Sequence, residues 1–284
     1  MEKQKRVMAI HDISCVGRCS LTVALPIISA AGHDCGVLPT AVLSTHTGGF
    51  TGFTFRDLTQ DVRPISAHWQ ELGLGFDALY SGFLGSFEQI DLVAELFDTY
   101  KTNNNIILVD PVMADEGKLY AIYSPEMAKG MAKLCGKADI IVPNITEACF
   151  MVDEEYKPGP YDTNYIENLL RKLAALGSKK VVLTGVCFDD EKLGAAVYDA
   201  EEGIAEYVFA ARIEGHFHGT GDVFGSALLS ALLLGKSLAD SAQIACNFVT
   251  QSINATIKMD QERRYGVAFE RALPSLIKQL GLSL

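Results

Sequence analysis

A glycine-rich turn followed by a carboxylate and a long apolar run carries the clearest chemistry in the sequence. Gly219-Thr220-Gly221-Asp222 leads directly into Val223–Leu229. The pattern predicts a tight loop before a buried helix, whose first N–H groups lack partners inside the helix and can bind an anion. Asp222 in the first turn could take a proton from a hydroxyl while those N–H groups hold phosphoryl oxygens. This combination indicates phosphoryl transfer to an alcohol, although an ordinary Asp cap after a glycine turn has the same pattern.

Several short apolar runs predict the strands that would position this turn. They are Val7–Ile10, Ala78–Ser81, Ile106–Val109, Ile140–Val142 and Val181–Thr184. Segments with helical spacing alternate with them, namely Ser20–Ala31, Ile90–Tyr100, Tyr165–Leu176, Asp222–Leu234, Leu238–Met259 and Val267–Leu280. The alternation predicts an α/β fold with a mostly parallel central sheet and helices on both faces. Lys192–Asp199 and Glu206–Arg212 instead predict an antiparallel hairpin at a sheet edge.

Composition and charge narrow the class of protein. The chain has 24 basic and 35 acidic residues, a net charge of −11, and 49% hydrophobic residues. The acidic chain therefore has no electrostatic reason to bind nucleic acid or an anionic membrane. Any anionic substrate has to be neutralised locally, by a metal ion or backbone dipoles, which favours a Mg²⁺-nucleotide over a bare phosphate. Seven scattered cysteines without a CxxC pair are typical of reduced thiols. Without a linker, repeat, signal peptide or membrane span, we expect one soluble cytoplasmic domain over residues 1–284.

Ligands of parallel α/β sheets bind beyond the carboxyl ends of the strands, so the residues after each predicted strand are candidates for chemistry. They are His11–Ser14, Gly82-Phe83, Asp110–Val112, Pro143-Asn144 and Gly185. Asp110 and Asp115 offer the carboxylate oxygens that Mg²⁺ prefers. Glu147 lies in the first turn of a helix for which Thr146 is the predicted N-cap. Because Asp110 and Glu147 follow neighbouring strands, we expect a Mg²⁺-phosphate site there, although turn and capping roles would also explain each carboxylate.

Histidines mark two further segments. Thr45–Phe50 offers His46 and hydroxyls in a predicted loop, and His216 and His218 precede the glycine turn. Loop histidines are more often surface or hydrogen-bonded residues than catalysts, and this spacing is weak evidence for a metal. The sequence contains no GxxxxGK[ST], which excludes a P-loop kinase, and no GxGxxG after the first strand, so a dinucleotide fold lacks its fingerprint.

The order of these segments resembles the ribokinase superfamily and, within it, the pyridoxal (vitamin B6) kinases. The glycine turn marks the superfamily, while the other segments point to the vitamin B6 branch. The matching stretches are Ala9–Asp12, Ser44–Gly48, Ser81–Ser86, Asp110–Met113, Asp139–Glu147 and Gly219–Asp222. They follow the family order and cover most of the chain.

The resemblance implies an ATP-dependent kinase that phosphorylates the 5′-hydroxymethyl of pyridoxal, pyridoxine or pyridoxamine. Asp222 would be the general base, and the amides of Gly219, Thr220 and Gly221 would form the anion hole. The vitamer would contact Asp12, His46, Thr47, Phe83 and Asp222. Asp110 and Glu147 would order Mg²⁺, and the nucleotide would contact Asp110, Asp115, Val142, Asn144, Glu147 and Thr184. Asp115 would lie in a flexible loop over the site, and a homodimer is expected because relatives commonly form one.

Three residues depart from the family pattern. Asp12 replaces a serine that commonly contacts the ring, and its carboxylate could favour a pyridine N–H⁺ or the amine of pyridoxamine. Phe83 replaces tyrosine, which keeps ring stacking but loses the hydroxyl. Val142 replaces threonine, which weakens the inference of a monovalent-cation site. None of these positions belongs to the transfer machinery.

Two alternatives remain open on the sequence. A hydroxymethylpyrimidine kinase of the same superfamily would also phosphorylate a hydroxymethyl group on a nitrogen heterocycle. A non-catalytic ligand-binding or regulatory protein could use the same fold, but such a protein would not need Asp222 beside an anion hole.

Overall fold

The computed structural model describes residues 3–282 and divides into two compact units. One unit comprises the chain up to Leu79 together with the chain from Ile213 onward, and the other comprises Tyr80–Arg212. Predicted catalytic and vitamer-binding residues lie mainly in the first unit, whereas the predicted nucleotide residues lie in the second. The expectation of one domain over residues 1–284 stays a prediction.

The elements alternate between strands and helices along the chain, as the apolar pattern predicts. In order they are β1 (Arg6–Ser14), α1 (Leu21–Ala30), β2 (Asp34–Leu43), β3 (Phe55–Asp57), α2 (Thr59–Glu71), β4 (Ala78–Ser81), α3 (Phe87–Tyr100), β5 (Ile106–Val109), β6 (Ala114–Asp115), β7 (Lys118–Leu119), α4 (Pro125–Cys135), β8 (Ile140–Ile141), α5 (Ile145–Val152), α6 (Thr163–Ala174), β9 (Lys180–Val186), β10 (Lys192–Asp199), β11 (Ile204–Ala211), α7 (Thr220–Leu233), α8 (Leu238–Lys258) and α9 (Leu273–Leu280).

In the first unit, the paired strands β1 and β2 support the segment that leads to α1. They run parallel, with Arg6 opposite Asp34 and Ser14 opposite Leu43, and β3 pairs antiparallel with β2. The sequence placed His11–Ser14 after the first strand, and this was wrong. Pairing with β2 continues to Ser14 across a register shift between His11 and Ile13, so Asp12 lies within β1. Helix α1 packs against β1 and α7.

The second unit contains parallel strands that end in an antiparallel edge. β5 pairs with β8 and β8 with β9, all in parallel, while β10 is antiparallel to both β9 and β11. The predicted hairpin of Lys192–Asp199 with the following strand is therefore confirmed. Gly185 lies inside β9 rather than after it, because β9 continues to pair with β10 as far as Val186. Both units thus have the mixed α/β character that the sequence predicts.

Several other boundaries differ from the sequence prediction. The predicted continuous helix Val267–Leu280 was wrong, since a 3₁₀ turn at Phe269–Arg271 precedes α9. Pro274 explains the break, because proline is accepted in the first turn of a helix and not in its interior. Strand β2 and helix α2 were not predicted from the sequence, because prolines at positions 39 and 64 obscure their periodicity.

Candidate active site

The glycine turn and the helix after it form as predicted. Helix α7 begins at Thr220 after Gly219, which adopts a left-handed conformation with φ of 78° and serves as the N-cap. The N–H of Val223 donates to the Gly219 carbonyl at 3.1 Å, which closes the first helical turn. Asp222 is the third helical residue, where a carboxylate interacts favourably with the helix dipole.

Close backbone packing explains why Gly219 has to be glycine. A Cβ atom at Gly219 would lie 2.1 Å from the carbonyl oxygen of Arg18, and one at Gly266 would lie 2.7 Å from the same oxygen. The segment before α1 is therefore pressed against the start of α7. This contact brings the Arg18–Ser20 stretch, which is far from α7 in sequence, next to the helical turn that carries Asp222.

Asp222 accepts a hydrogen bond from that segment. Its Oδ2 atom lies 2.8 Å from the backbone N of Ser20, which donates. Burial raises the pKa of Asp222 to about 7, the Ser20 amide acts in the opposite direction, and the negative charge of Asp12 raises it further. A carboxylate that ionises near neutral pH is matched to general-base work.

Asp12 is the second carboxylate of this region. It is buried in β1, and its Oδ2 atom accepts from the Ser14 hydroxyl at 3.2 Å. Burial raises the pKa of Asp12, whereas hydrogen bonds from Ser20 and Ser14 lower it. Asp12 and Asp222 are therefore brought together, which the sequence predicted only through the family resemblance.

His46 is buried, contrary to the surface position typical of a loop histidine. The Gly48 N–H donates to Nδ1 at 3.1 Å, and Nε2 lies 2.5 Å from the Arg264 carbonyl. These partners fix a neutral imidazole that donates from Nε2, and burial lowers the pKa of His46 accordingly. Thr47 is exposed beside it. The ring therefore orders the loop that carries the predicted vitamer contact.

The other two histidines give no metal site. The ring of His218 lies 5.3 Å from His46 and 4.9 Å from His216. Among the residues from 3 to 282, no group of three histidine, cysteine or acidic side chains could hold a metal ion. The weak metal interpretation of this spacing is therefore not supported by geometry.

In the second unit, the start of α5 is held by a reciprocal pair of hydrogen bonds. The Glu147 N–H donates to Asn144 Oδ1 at 2.9 Å, and the Asn144 N–H donates to Glu147 Oε2 at 2.8 Å. Asn144 is therefore the N-cap, and the prediction of Thr146 was wrong by two residues. The physical reason is that this capping box satisfies two N–H groups at once.

The other oxygen of Glu147 connects α5 to the segment after β5. Oε1 accepts from the Met113 N–H at 3.1 Å. Burial raises the pKa of Glu147 to about 8, whereas hydrogen bonds from the backbone at Asn144 and Met113 lower it. Each carboxylate oxygen thus already accepts from a backbone N–H, and the predicted metal role of Glu147 stays a prediction.

Asp115 lies in a short hairpin rather than in an irregular loop. Strands β6 and β7 pair antiparallel, with Asp115 opposite Lys118. The Asn144 side-chain amide donates to the Ala114 carbonyl at 2.8 Å, and the Gly117 N–H donates to the Thr146 hydroxyl at 3.0 Å. These two bonds dock the hairpin on the first turn of α5.

Asp110 and Glu147 share neighbours, as their strand positions predict. Asp110 follows β5, whose partner is β8. Burial raises the pKa of Tyr123, and the charges of Glu147 and Asp110 raise it further. The charges of both carboxylates are therefore close enough to the Tyr123 hydroxyl to affect its ionisation. Carboxylate oxygens are the ligands that a hard cation such as Mg²⁺ prefers.

Tyr123 is a candidate residue that sequence reasoning missed. Its hydroxyl donates to the Leu84 carbonyl at 2.5 Å, and its ring lies 6.0 Å from that of Phe83 at an angle of 71°. An aromatic residue just before the N-cap of α4 is the only local signal in the sequence. Tyr123 joins the predicted ring-stacking residue to the neighbourhood of the two carboxylates.

The remaining predicted nucleotide residues lie together just after β8 and in the adjacent part of β9. The Val142 N–H donates to the Val109 carbonyl, and the Thr184 N–H donates to the Pro143 carbonyl, both at 2.9 Å. Asn144 and Thr184 form a β-bridge. These contacts bring Val142, Asn144 and Thr184 together, as the strand order predicts.

Comparison with known proteins defines the chain as a kinase. It belongs to the phosphomethylpyrimidine kinase family, whose model matches residues 33–266. A proposed phosphomethylpyrimidine kinase from Bacteroides thetaiotaomicron, crystallised with pyridoxal, is 38% identical with a TM-score of 0.92 over 96% of each chain. Pyridoxal kinase from Lactobacillus plantarum is 31% identical with a TM-score of 0.88 over 98% of each chain. Pyridoxine kinase from Bacillus subtilis is 28% identical over 66% of this chain and 68% of its own.

These similarities confirm the ribokinase-like fold and the enzymatic class. Between residues 3 and 282, no helix has the length and apolar character that crossing a membrane requires.

Proposed function

We propose that this kinase transfers the γ-phosphoryl group of ATP to the 5′-hydroxymethyl of a vitamin B6 vitamer, pyridoxal, pyridoxine or pyridoxamine. The observation that supports this most directly is Asp222, a carboxylate at the start of α7 with a pKa raised to about 7. The pyridoxal-bound relative of 38% identity supports the choice of substrate.

The residues of the first unit would perform the proton transfer. The Asp222 carboxylate accepts the hydroxyl proton while the substrate oxygen forms its bond to the γ-phosphorus. The bond from that phosphorus to the β–γ bridging oxygen breaks, and ADP leaves. The first N–H groups of α7, at Thr220 and Gly221, hold the phosphoryl oxygens as their charge redistributes.

The residues of the second unit would bind the nucleotide. Asn144 and Thr184 lie at adjacent strand ends where phosphates can be met, and Val142 offers apolar contact. Asp110 and Glu147 would hold Mg²⁺, which when bound supplies positive charge to the phosphates. The Val142 side chain has no oxygen, so it does not support a monovalent-cation site at that position. Asp115 would contact the nucleotide from the hairpin.

Three further properties belong to this proposal. We infer that residues 1–284 act as one catalytic domain, that the protein works in the cytoplasm, and that it forms a homodimer. The scattered free cysteines support a reducing compartment. Light scattering coupled to size-exclusion chromatography would report the oligomeric state directly, and a monomer at micromolar concentration would contradict the dimer.

Hydroxymethylpyrimidine is the second candidate substrate. The matching family model favours it, because that model describes phosphomethylpyrimidine kinases. The two substrates share an aromatic nitrogen ring and a hydroxymethyl group, so Asp222 could serve either. The ring contacts at Asp12 and Phe83 would make the choice.

The test is an ATP-consumption assay with pyridoxal, pyridoxine, pyridoxamine and hydroxymethylpyrimidine in parallel. We expect the highest kcat/KM with a B6 vitamer. Asp222→Asn should bind ATP normally and lose turnover by about 10²–10⁴-fold. Asp240→Asn is the matched control, because Asp240 is exposed and is the third residue of α8 as Asp222 is of α7. Near-normal turnover of Asp222→Asn would overturn the role of Asp222 as the general base. A preference for hydroxymethylpyrimidine would overturn the choice of a B6 vitamer as the substrate.

A further inference from the structure

Ser20 holds a backbone conformation that residues with a side chain rarely adopt. Its φ is 55° and its ψ is −129°, in the last position before α1, and it is buried. Such a conformation is strained in a residue other than glycine. Serine in this position usually caps the helix, but the Ser20 side chain makes no capping hydrogen bond. Neither backbone preference nor helix capping therefore explains a serine at position 20.

The polar groups of Ser20 are directed to the carboxylates of Asp222 and Asp12 instead. Its N–H donates to Asp222 Oδ2 at 2.8 Å. Its side chain forms a hydrogen bond with Asp12, which opposes the rise in the pKa of Asp12 that burial causes. A β-bridge between Ser20 and Ile13 fixes this position, because Ile13 adjoins Asp12 in the chain. One residue thus contacts both carboxylates through two different groups.

We propose that Ser20 is a positioning residue that joins Asp12 and Asp222 into one coupled pair, its amide holding Asp222 and its hydroxyl holding Asp12. This role rests on the proposed function, in which Asp222 is the general base. The strained backbone is retained because it directs the amide to one carboxylate and the hydroxyl to the other. Glycine, the relaxed choice for this conformation, would lack the hydroxyl.

The ionisation of each carboxylate then depends on the other. The charge of Asp12 disfavours the ionised form of Asp222, in addition to the effect of burial. Two further titratable groups act on the pair. Burial and the charges of Asp222 and Asp12 raise the pKa of Cys19, so its thiol stays neutral. Burial lowers the pKa of His46 and keeps its ring neutral, although the charge of Asp12 acts in the opposite direction. Changes at Ser20 should therefore alter the pair without generating a new charge.

Two substitutions separate the hydroxyl from the strain. Ser20→Ala removes the hydroxyl and keeps the strained backbone, whereas Ser20→Gly removes both. We expect Ser20→Gly to unfold at the same temperature as the native protein or higher. Both variants should lose kcat by about tenfold, because without the hydroxyl Asp12 is no longer held in place beside the base, and small displacements in an active site are costly. A merely structural role would instead make activity follow stability, with Ser20→Gly fully active.

Carboxyl ¹³C NMR titration of Asp-labelled protein measures the pair without relying on activity. Asp12 should titrate at higher pH in Ser20→Ala and Ser20→Gly, and Asp222 should titrate at lower pH in Asp12→Asn. Unchanged midpoints for both carboxylates would overturn the coupling. If the midpoints move but the native protein phosphorylates none of the four alcohols, the coupled pair stands and the proposed kinase substrate fails.

Discussion

Asp222 illustrates how burial and a neighbouring charge adapt a common side chain to a chemical task. In water a carboxylate ionises near pH 4 and is too weak a base for a hydroxyl at neutral pH. Here burial and Asp12 raise the pKa of Asp222 to about 7, while the Ser20 amide keeps the carboxylate in place. The side chain therefore changes its ionisation near neutral pH, where its ionised fraction can accept a proton.

The pH dependence of catalysis should report this value. A general base works when deprotonated, so kcat/KM should rise with pH up to about 7, by as much as tenfold per unit, and level off above it. Initial rates with the best vitamer from about pH 5 to about pH 9 measure this limb in the free enzyme. Asp12→Asn should move the limb to lower pH because it removes a negative charge beside Asp222. A profile without an inflection near neutrality would contradict the assignment.

Replacement of Glu147 should affect both stability and metal use. In the native protein the N–H groups of Met113 and Asn144 each donate to one oxygen of Glu147. Glu147→Gln replaces one of these oxygens by an NH₂ group, which cannot accept, so one of the two N–H groups loses its partner. We expect a loss of about 1–3 kcal/mol in the free energy of unfolding and a higher Mg²⁺ requirement. Urea unfolding and a Mg²⁺ titration of activity measure the two effects. Glu126→Gln is the control, since Glu126 is exposed in the first turn of α4. An unchanged Mg²⁺ titration would remove Glu147 from the metal site.

At the scale of elements, predicted site residues lie at the start of one helix in each unit. In the first unit α7 begins after a left-handed glycine, and in the second α5 begins with a capping box. The first N–H groups of α7 suit phosphoryl oxygens, whereas the N–H groups of Asn144 and Glu147 at the start of α5 are already paired. In each case a segment from elsewhere in the unit packs against the first turn, the Arg18–Ser20 stretch on α7 and the β6–β7 hairpin on α5.

A methyl group at Gly219 should disrupt the first of these contacts. Gly219→Ala would force its Cβ against the Arg18 carbonyl at 2.1 Å, in addition to the strain of φ at 78°. We expect loss of most activity and a greater loss of stability than in Gly235→Ala. Gly235 has the same φ of 78° but nothing within 4 Å of its Cβ position, so it isolates the backbone strain. Thermal unfolding and turnover of both variants test this, and equal effects would show that the close approach is unimportant.

Loss of the Thr146 hydroxyl should loosen the second contact. Thr146→Val removes the acceptor of the Gly117 N–H, now at 3.0 Å, and keeps the shape of the side chain. Hydrogen exchange at the Gly117 amide should become about tenfold faster, which corresponds to one ordinary hydrogen bond. Thr146→Ser retains a hydroxyl and should exchange at the native rate. Native exchange in Thr146→Val would mean that the hairpin is held by other contacts.

At the scale of the whole molecule, the two compact units raise the question of cooperativity. If residues 1–284 form one domain, heat should unfold them in a single transition whose calorimetric and van't Hoff enthalpies agree. Saturating ATP and vitamer should shift the entire transition upward, because ligands that bind only the native state stabilise it. Differential scanning calorimetry measures both effects. Two separable transitions, with only one moved by ligand, would show that Tyr80–Arg212 unfolds independently of the other unit.

Local sequence patterns determined much of the architecture. The apolar run after Asp222 specified α7, the alternating residues of Lys192–Asp199 specified β10, and the apolar runs specified the buried strands. These signals depend on residues only a few positions apart, so periodicity and turn chemistry suffice to detect them. The residues predicted at the start of α7 and at the ends of β5 and β8 lie at those places in the structure for the same reason.

Tertiary structure decided the features that depend on residues distant in sequence. Pairing with β2 extended β1 to Ser14 and placed Asp12 inside a strand. Packing of the Ser20 segment on α7 joined residues 202 positions apart and gave Asp222 its hydrogen-bond partner. The basicity of Asp222 and the neutral state of His46 follow from burial, which no local pattern encodes. The sequence by itself therefore determined the elements and the identity of the reactive groups, whereas desolvation and long-range contacts decided their protonation and alignment.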